Sequence, residues 1–272
     1  MTSNKSEKHN AQKKMAFSCY YNANREGENY VEQHTFAYQI SGSLTLFDGR
    51  KEYQSEKGTL RLVRRNQLMK FIKEPDEKEP FQSLSIYLSQ DFLKDFAREQ
   101  NIKVKRVKKK VAVMNLTKDR LLENYLNSIA VYIQTDALED PLMVDAKLSE
   151  GLLLLLKTNP DVATVLFDFS EPYKLDLQPF MQQNYYFNVR LERFAYLTGR
   201  SLAAFKRDFE KEFGTSPGKW LIQKRLEEAR RLLSETPKTV SEIYLDLGFE
   251  DLSHFSHAFK KQFGVAPTRL RS

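Results

Sequence analysis

The sequence has little of what secreted, metal-binding or membrane proteins depend on. Its 272 residues include one cysteine, Cys19, and only four histidines. A single cysteine excludes an intramolecular disulfide and suits a reducing compartment. So few histidines leave no set of metal ligands, and the leucine run 152–156 is far shorter than the roughly 20 apolar residues that span a bilayer. We therefore expect no disulfide, no metal or other cofactor, and no membrane segment.

The chain also lacks targeting and catalytic signals. Residues 1–14 contain no apolar stretch, so we expect a disordered tail rather than a signal peptide, and a cytoplasmic protein. No phosphate-binding glycine loop and no pairing of a nucleophile with a base is recognisable, so we expect no enzyme. The net charge is +7, and residues 174–272 carry most of it, with 17 Lys and Arg against 12 Asp and Glu. That excess is compatible with a polyanionic partner without establishing one.

What the chain does contain is an internal repeat near its end. Residues 201–217 recur fifty positions later as 251–267. The identical pairs are Leu202/Leu252, Phe205/Phe255, Phe209/Phe259, Lys211/Lys261, Phe213/Phe263, Gly214/Gly264 and Pro217/Pro267. The shared apolar residues follow the spacing i, i+3, i+7, i+11, which predicts one face of an α-helix that ends at the glycine. Ser201 and Asp251 are suitable N-caps for these two helices.

Each repeated helix follows a shorter one across a turn that contains glycine. Residues 191–197 lead into Gly199, and residues 240–247 lead into Gly248. A short helix, a turn and a second helix predict a helix-turn-helix unit. A repeat that only packs is the alternative, and we disfavour it because the unshared faces are polar and partly basic. A helix over 220–233 would hold the two units about one DNA turn apart, so that both enter the major groove from one side.

These motifs resemble the AraC/XylS family of bacterial transcription regulators. The matching residues are Ala195, Gly199, Ser201, Phe205, Phe209, Phe213, Gly214, Ser216, Pro217, Arg225, Leu226, Ala229, Leu232, Leu233, Gly248, Phe249, Ser253, Phe255, Phe259, Lys260, Phe263, Gly264 and Pro267. The resemblance covers residues 175–272 and implies an activator that binds double-stranded DNA and contacts RNA polymerase. The sequence departs from the family at Tyr244, where alanine is usual, and at the acidic turn Glu250-Asp251.

The resemblance also implies which residues contact DNA. It places base-reading positions at Ala203, Lys206 and Arg207 of the first unit and at Ser253, Ser256 and His257 of the second. The candidates for backbone or flanking contacts are Arg190, Arg200, Ser201, Ala204, His254 and Lys260. Because arginine binds guanine through two hydrogen bonds, we expect the first unit to supply most of the specificity. A metal pair at His254 and His257 is disfavoured, since no other Cys or His is near them in sequence.

The first half has a different pattern, and the fold class expected for the whole chain is α+β. Short alternating stretches with turns at Ser41-Gly42, Asp48-Gly49 and Lys57-Gly58 predict a β-barrel or sandwich over 15–115. This order of turns resembles the cupin-like effector domain of the same family, and 58–65 with 87–96 resemble the branch that contains type III secretion activators. The inward positions either line an effector pocket or fill the core, and we favour filling of the core because small barrels are usually filled by side chains. These positions are Phe36, Tyr38, Ile40, Leu44, Leu46 and Leu62.

The remaining segments complete the predicted domains. Two amphipathic helices over 116–157 form the segment that, by resemblance, makes a homodimer. Residues 158–173 are the expected linker and 174–272 the DNA-binding domain. The basic run 103–110 is predicted as an edge strand protected by lysines rather than as a phosphate-binding patch. The rival functions are a cupin enzyme, a DNA-repair fusion, which needs a cysteine cluster, and an architectural DNA binder, which has little sequence preference. The effector, a small molecule or a protein, stays open.

Overall fold

The computed structural model describes residues 14–25, 29–102, 111–134 and 140–271. The basic run 103–110 and almost all of the amino-terminal tail, with His9, lie outside these residues. The strands are β1 (Met15–Tyr20), β2 (Tyr30–Val31), β3 (His34–Ser41), β4 (Ser43–Phe47), β5 (Glu52–Ser55), β6 (Leu60–Val63), β7 (Gln67–Leu68), β8 (Lys70–Glu74), β9 (Phe81–Leu88) and β10 (Val113–Asn115). The helices are α1 (Gln90–Glu99), α2 (Arg120–Gln134), α3 (Pro141–Thr158), α4 (Ala163–Leu166), α5 (Leu177–Asn184), α6 (Leu191–Leu197), α7 (Leu202–Phe213), α8 (Pro217–Glu235), α9 (Val240–Asp246) and α10 (Leu252–Phe263).

The strands of the described residues form three antiparallel sheets. The largest has the order β1-β9-β3-β6-β10, a second the order β5-β4-β8, and β2 pairs with β7. None of these pairings closes a sheet on itself, so the closed barrel expected from the turns is not seen. The reason lies where β3 ends: its register with β9 shifts between Gln39 and Ser41, and Gly42 turns at φ 71°. That bulge and turn send the next strand, β4, into a different sheet.

Alternation along β3 and β9 separates two cores. One face of the five-stranded sheet carries Phe36, Leu84 and Ile86, which pack against α1, α2 and α3. The opposite face, with Val63 and Phe81, packs against Leu44 and Leu46 of the three-stranded sheet. Because successive side chains of a strand point to opposite faces of the sheet, alternate residues of β3 and β9 contribute to different cores. The first half of the chain is a mixed unit of sheets and helices.

The segment expected to be a linker packs instead on that mixed unit. A 3₁₀ turn, Pro160–Val162, and the short helix α4 follow α3 directly. Val162 and Leu166 are fully buried, and they belong to the same core as α2 and α3. Burying such side chains stabilises by about 1.5–3 kcal/mol each. The two residues are therefore an integral part of the amino-terminal unit.

The last hundred residues are helical and form two cores joined by α8. Phe194, Phe205, Phe209 and Leu221 lie in the first core, which α6 and α7 build. Leu226, Ala229 and Leu233 lie in the second core, with α9 and α10. The predicted helix-turn-helix units and the connecting helix are thus confirmed. Helix α8 has 19 residues, so it is about 28 Å long at roughly 1.5 Å per residue.

Candidate nucleic-acid interface

The first candidate recognition helix, α7, begins and ends where the sequence predicts. The Ser201 side chain accepts a hydrogen bond from the Ala204 N–H at 3.3 Å, and Gly214 ends the helix at φ 68°. Phe205 and Phe209 are fully buried, and Phe213 stacks on Phe209 with 4.1 Å between the ring centroids. This aromatic face fixes the rotation of α7, so the opposite face points to solvent.

The base-reading candidates of α7 lie on that solvent face. Ala203, Lys206 and Arg207 are exposed, and Ala204 is half-buried. The Arg207 side chain is 77% exposed, and its guanidinium lies 3.3 Å from the carboxylate of its neighbour Asp208. An exposed ion pair of this kind is weak. The guanidinium is therefore accessible to a nucleobase edge or a phosphate.

Arg200, predicted to contact the DNA backbone, has a structural role instead. Its side chain is only 8% exposed and forms an ion pair with Asp208 at 3.1 Å. It also donates to the carbonyls of Leu175 and Thr198 at 2.7 and 2.8 Å. The hydrogen bond from Arg200 is the main reason why the pKa of Asp208 lies below its usual range. Arg200 thus fastens the middle of α7 to the segment before α5, and little of its side chain is exposed.

The second unit repeats this geometry with different caps. Thr239 and Glu242 form a capping box at the start of α9, and the Asp251 carboxylate accepts from the His254 N–H at 2.8 Å at the start of α10. Glu250 accepts from the Asn188 side chain at 3.1 Å. The two acidic residues that depart from the family pattern are therefore used in capping and packing. Tyr244, the other departure, packs on Phe255 with a ring-centroid distance of 6.4 Å.

The residues predicted to contact DNA from the second unit are also accessible. Ser253, His254, His257 and Lys260 are exposed, whereas Ser256 is half-buried. Lys260 lies in the last turn of α10, where it complements the helix dipole. In the first unit Arg190 is exposed at the N-cap position of α6. The face formed by α10 has shorter side chains and less charge than that of α7.

Arg225, in the middle of α8, joins the two units. Its guanidinium donates to the carbonyls of Tyr185, Gly248 and Phe187 at 2.7, 2.8 and 2.9 Å. Burial is the main cause that lowers the pKa of Arg225 to about 10. Gly248, in the turn between α9 and α10, has φ 78°, and a Cβ there would lie 2.7 Å from the Tyr186 carbonyl oxygen. The sequence signal for this clamp was an arginine inside an otherwise apolar stripe.

The amino-terminal unit contacts the first helix-turn-helix unit through α6 and the segment before it. On α6, Arg193 pairs with Glu32 at 3.1 Å, and the Tyr196 hydroxyl accepts from the Asn66 side chain at 2.9 Å. On the segment before α6, the N–H of Asn29 donates to the Asn188 carbonyl at 3.0 Å. Pattern reasoning missed these residues because nothing in their local sequence marks them as partners.

The six effector-pocket candidates do not line one surface. Phe36, Tyr38, Ile40 and Leu62 face the helices, whereas Leu44 and Leu46 face the interior between the sheets. A separate cleft of about 400 Å³ opens where the two halves of the chain meet. It is lined by Tyr30, Arg65, Lys94, Arg193 and Tyr196, among others. The opening that both halves share is therefore polar.

Two kinds of site are not found in the described part of the chain. No helix there is long and apolar enough to cross a membrane. Within the same residues, no three or more His, Cys, Asp or Glu side chains form a group suited to a metal ion.

Comparisons with known proteins bear on both halves. Residues 194–272 match the family described as a helix-turn-helix domain, and residues 34–165 match the ExsA N-terminal regulatory domain. The chain is 26% identical over 270 residues to the HTH-type transcriptional regulator ExsA of Pseudomonas aeruginosa, with 95% of this chain and 93% of that protein covered. It is 25% identical over 241 residues to the virulence regulon transcriptional activator VirF of Yersinia enterocolitica, with 85% and 86% covered.

Several solved structures of ToxT from Vibrio cholerae align along most of the chain. One of them, a variant, has 14% identity and a TM-score of 0.44 over 94% of this chain and 96% of that one.

Proposed function

The chain belongs to the AraC/XylS family of transcription regulators, and from that premise we propose that it binds double-stranded DNA at specific sequences and activates transcription. The observation that carries the proposal is the duplicated unit itself. Two helices with the same buried face and the same glycine at the carboxyl end present different polar residues to solvent. A shared scaffold with different exposed residues suits the reading of two different base sequences.

In this proposal α7 and α10 enter successive major grooves. Helix α8 connects the two units, and its length of about 28 Å, at roughly 1.5 Å per residue, is of the order of the 34 Å of one DNA turn. Arg207 binds a guanine, Lys206 and Ala203 contact neighbouring bases, and Ser253, Ser256 and His257 make the weaker second set. Ser201, Ala204, Arg190, His254 and Lys260 are placed for the backbone or flanking positions.

The amino-terminal half is proposed to control this binding as a cupin-like regulatory unit. Its support is the match to a regulatory domain over 34–165 and the cleft that its residues share with α6. A small molecule or a protein that binds there would act directly on the position of the first unit. This half senses an effector and does not catalyse a reaction. The protein acts in the cytoplasm, next to RNA polymerase.

A homodimer is proposed through the helices α2 and α3. Leu142 of α3 is 80% exposed, and Leu153, eleven residues later on the same face, is also exposed. Ala146 and Ser149 lie between them at the i+4 and i+7 positions, which is the spacing of a seam between two helices. A second copy of the chain that covers this seam would give two-fold symmetry.

The test compares full-length protein with two variants of matched arginines. Wild-type protein selects sequences from a random duplex pool, and the affinities of Arg207→Ala and Arg98→Ala are then measured on the selected duplex and on its single-base variants. Arg98 is 79% exposed and paired with a carboxylate, as Arg207 is. We expect Arg207→Ala to lose about 1–3 kcal/mol and to relax the preference at one base. Arg98→Ala retains wild-type binding, and equal loss by Arg207→Ala on all sequences would overturn the assignment.

A further inference from the structure

The amino-terminal half touches each helix-turn-helix unit at the helix that precedes the recognition helix. In the first unit this helix is α6, held through Arg193 and Tyr196. In the second unit it is α9, and its contact comes from Lys70 on β8. The base-reading candidates Lys206, Arg207 and His257 remain exposed. The regulatory half therefore holds both units without covering their recognition faces.

Lys70 closes the end of α9. Its ammonium donates to the carbonyl of Asp246, which is the last residue of that helix. The last carbonyls of a helix lack partners within the helix, and a cation there also complements the helix dipole. The same ammonium lies 4.9 Å from the centroid of the Tyr186 ring. Asp246 is further tied by Arg25 at 3.5 Å and by Lys238 at 2.7 Å.

The end of α9 cannot move independently of α10. Only the buried residues Leu247, Gly248 and Phe249 and the exposed Glu250 separate Asp246 from Asp251, the N-cap of α10. Gly248 packs against the Tyr186 backbone with no room for a Cβ. The Tyr186 hydroxyl in turn donates to the Gly49 carbonyl at 3.2 Å, and its ring stacks on Phe47. A shift of β8 would therefore carry the second unit with it.

We propose that Lys70 is a positioning residue for DNA recognition, which fixes the second helix-turn-helix unit relative to the first and so sets the spacing of the two half-sites. The inference rests on the proposed function, because it concerns how two recognition helices fit one duplex. Half-site spacing is a geometric property of the protein. A contact that fixes the angle between the units therefore determines which spacing is bound best.

The experiment measures spacing preference with full-length protein. Duplexes carry the two selected sequence blocks at the selected separation, or with one or two base pairs inserted or deleted between them. Each inserted pair rotates the second block by about 34°. Wild-type affinity falls steeply with every change of spacing. Lys70→Met removes the donor, so the loss of affinity at a changed spacing is about tenfold smaller than in the wild type. A factor of about ten corresponds to one hydrogen bond that involves a charged group.

Three controls separate positioning from a general defect. Lys70→Arg keeps a cationic donor and restores the wild-type penalty. Lys73→Met changes the same residue type on the same strand, but Lys73 lies 4.3 Å from the Tyr20 ring within its own half, so it behaves as wild type. Affinity for a single block stays unchanged in Lys70→Met, whereas a folding defect lowers it. If Lys70→Met does not fold, Lys70→Leu, whose side chain also has no donor, takes its place.

Two different failures are distinguishable. If wild-type protein selects two blocks and Lys70→Met keeps the wild-type spacing penalty, Lys70 has no positioning role and the proposed function stands. If wild-type protein selects no sequence at all, the proposed function fails, and the inference fails with it.

Discussion

Replacing Arg225 by methionine tests how the two helix-turn-helix units are held together. Methionine preserves much of the aliphatic packing of the side chain but donates no hydrogen bond. The three carbonyls of Tyr185, Gly248 and Phe187, now bound at 2.7–2.9 Å, lose their donor. Two of them belong to the segment before α6 and one to the turn of the second unit, so the substitution loosens both units at once.

The magnitude follows from two opposing contributions. Leaving three carbonyls without a donor costs about 6 kcal/mol, at roughly 2 kcal/mol each. The arginine itself is costly to bury, since burial lowers its pKa from 12.5 to about 10. That shift corresponds to about 3 kcal/mol at 1.36 kcal/mol per pKa unit, which methionine does not incur. The net loss is about 3 kcal/mol, or a fall of roughly 6–12 °C in the unfolding midpoint for a chain of this size.

The assay is thermal unfolding of the full chain, followed by urea unfolding at 25 °C. Arg231→Met on the same helix is the control: its side chain is 51% exposed, and it pairs with Glu228 and Glu235 of the same helix α8. Exposed pairs within one helix contribute about 0.3–0.5 kcal/mol each, so the control loses far less than Arg225→Met. An Arg225→Met protein as stable as the wild type would refute the clamp.

Two further predictions concern backbone strain and pH. Gly199→Ala and Gly214→Ala both place alanine at positive φ, which costs about 1–2 kcal/mol; only at Gly199 does the new Cβ meet other backbone, 2.5 Å from the Tyr173 carbonyl carbon. Urea unfolding should therefore show at least twice the loss for Gly199→Ala, and equal losses contradict the close approach of the two segments. Burial, with Arg65 and Arg64 nearby, lowers the pKa of His34 from 6.5 to about 3. Between these two pH values the unfolded chain then binds more protons than the folded chain, so the free energy of unfolding falls as the pH drops through that window. In His34→Gln a plot of the free energy of unfolding against pH should therefore be flatter over the same window. Equal slopes in the two proteins would exclude His34 as the cause of the acid destabilisation.

The helix-turn-helix repeat was predictable because its signals are local. Ser201, Gly214 and the phenylalanines between them lie within one helix, and each determines a cap, a stop or a buried face. Helix periodicity then assigns Arg207 to the exposed face without any knowledge of distant residues. Tertiary structure confirmed the caps and the buried face, and it left the contacts with DNA as proposals.

The remaining features depend on residues far apart in the chain. The sequence alone places Arg200 among the exposed basic residues of the first unit, but its guanidinium donates a hydrogen bond to the Leu175 carbonyl, 25 residues earlier. The six effector-pocket candidates share an alternating pattern, and the bulge between Gln39 and Ser41 divides them between two cores. Lys70 and its partner Asp246 are 176 positions apart. Periodicity describes one element at a time, so it gives no information on such pairs.

Selection of bound duplexes by the full-length protein tests the central claim most directly. The account predicts two preferred sequence blocks whose centres lie about 10 base pairs apart, and loss of the preference at one base of one block in Arg207→Ala. A single block, or affinity that depends on salt but not on sequence, would contradict the claim that α7 and α10 read successive major grooves.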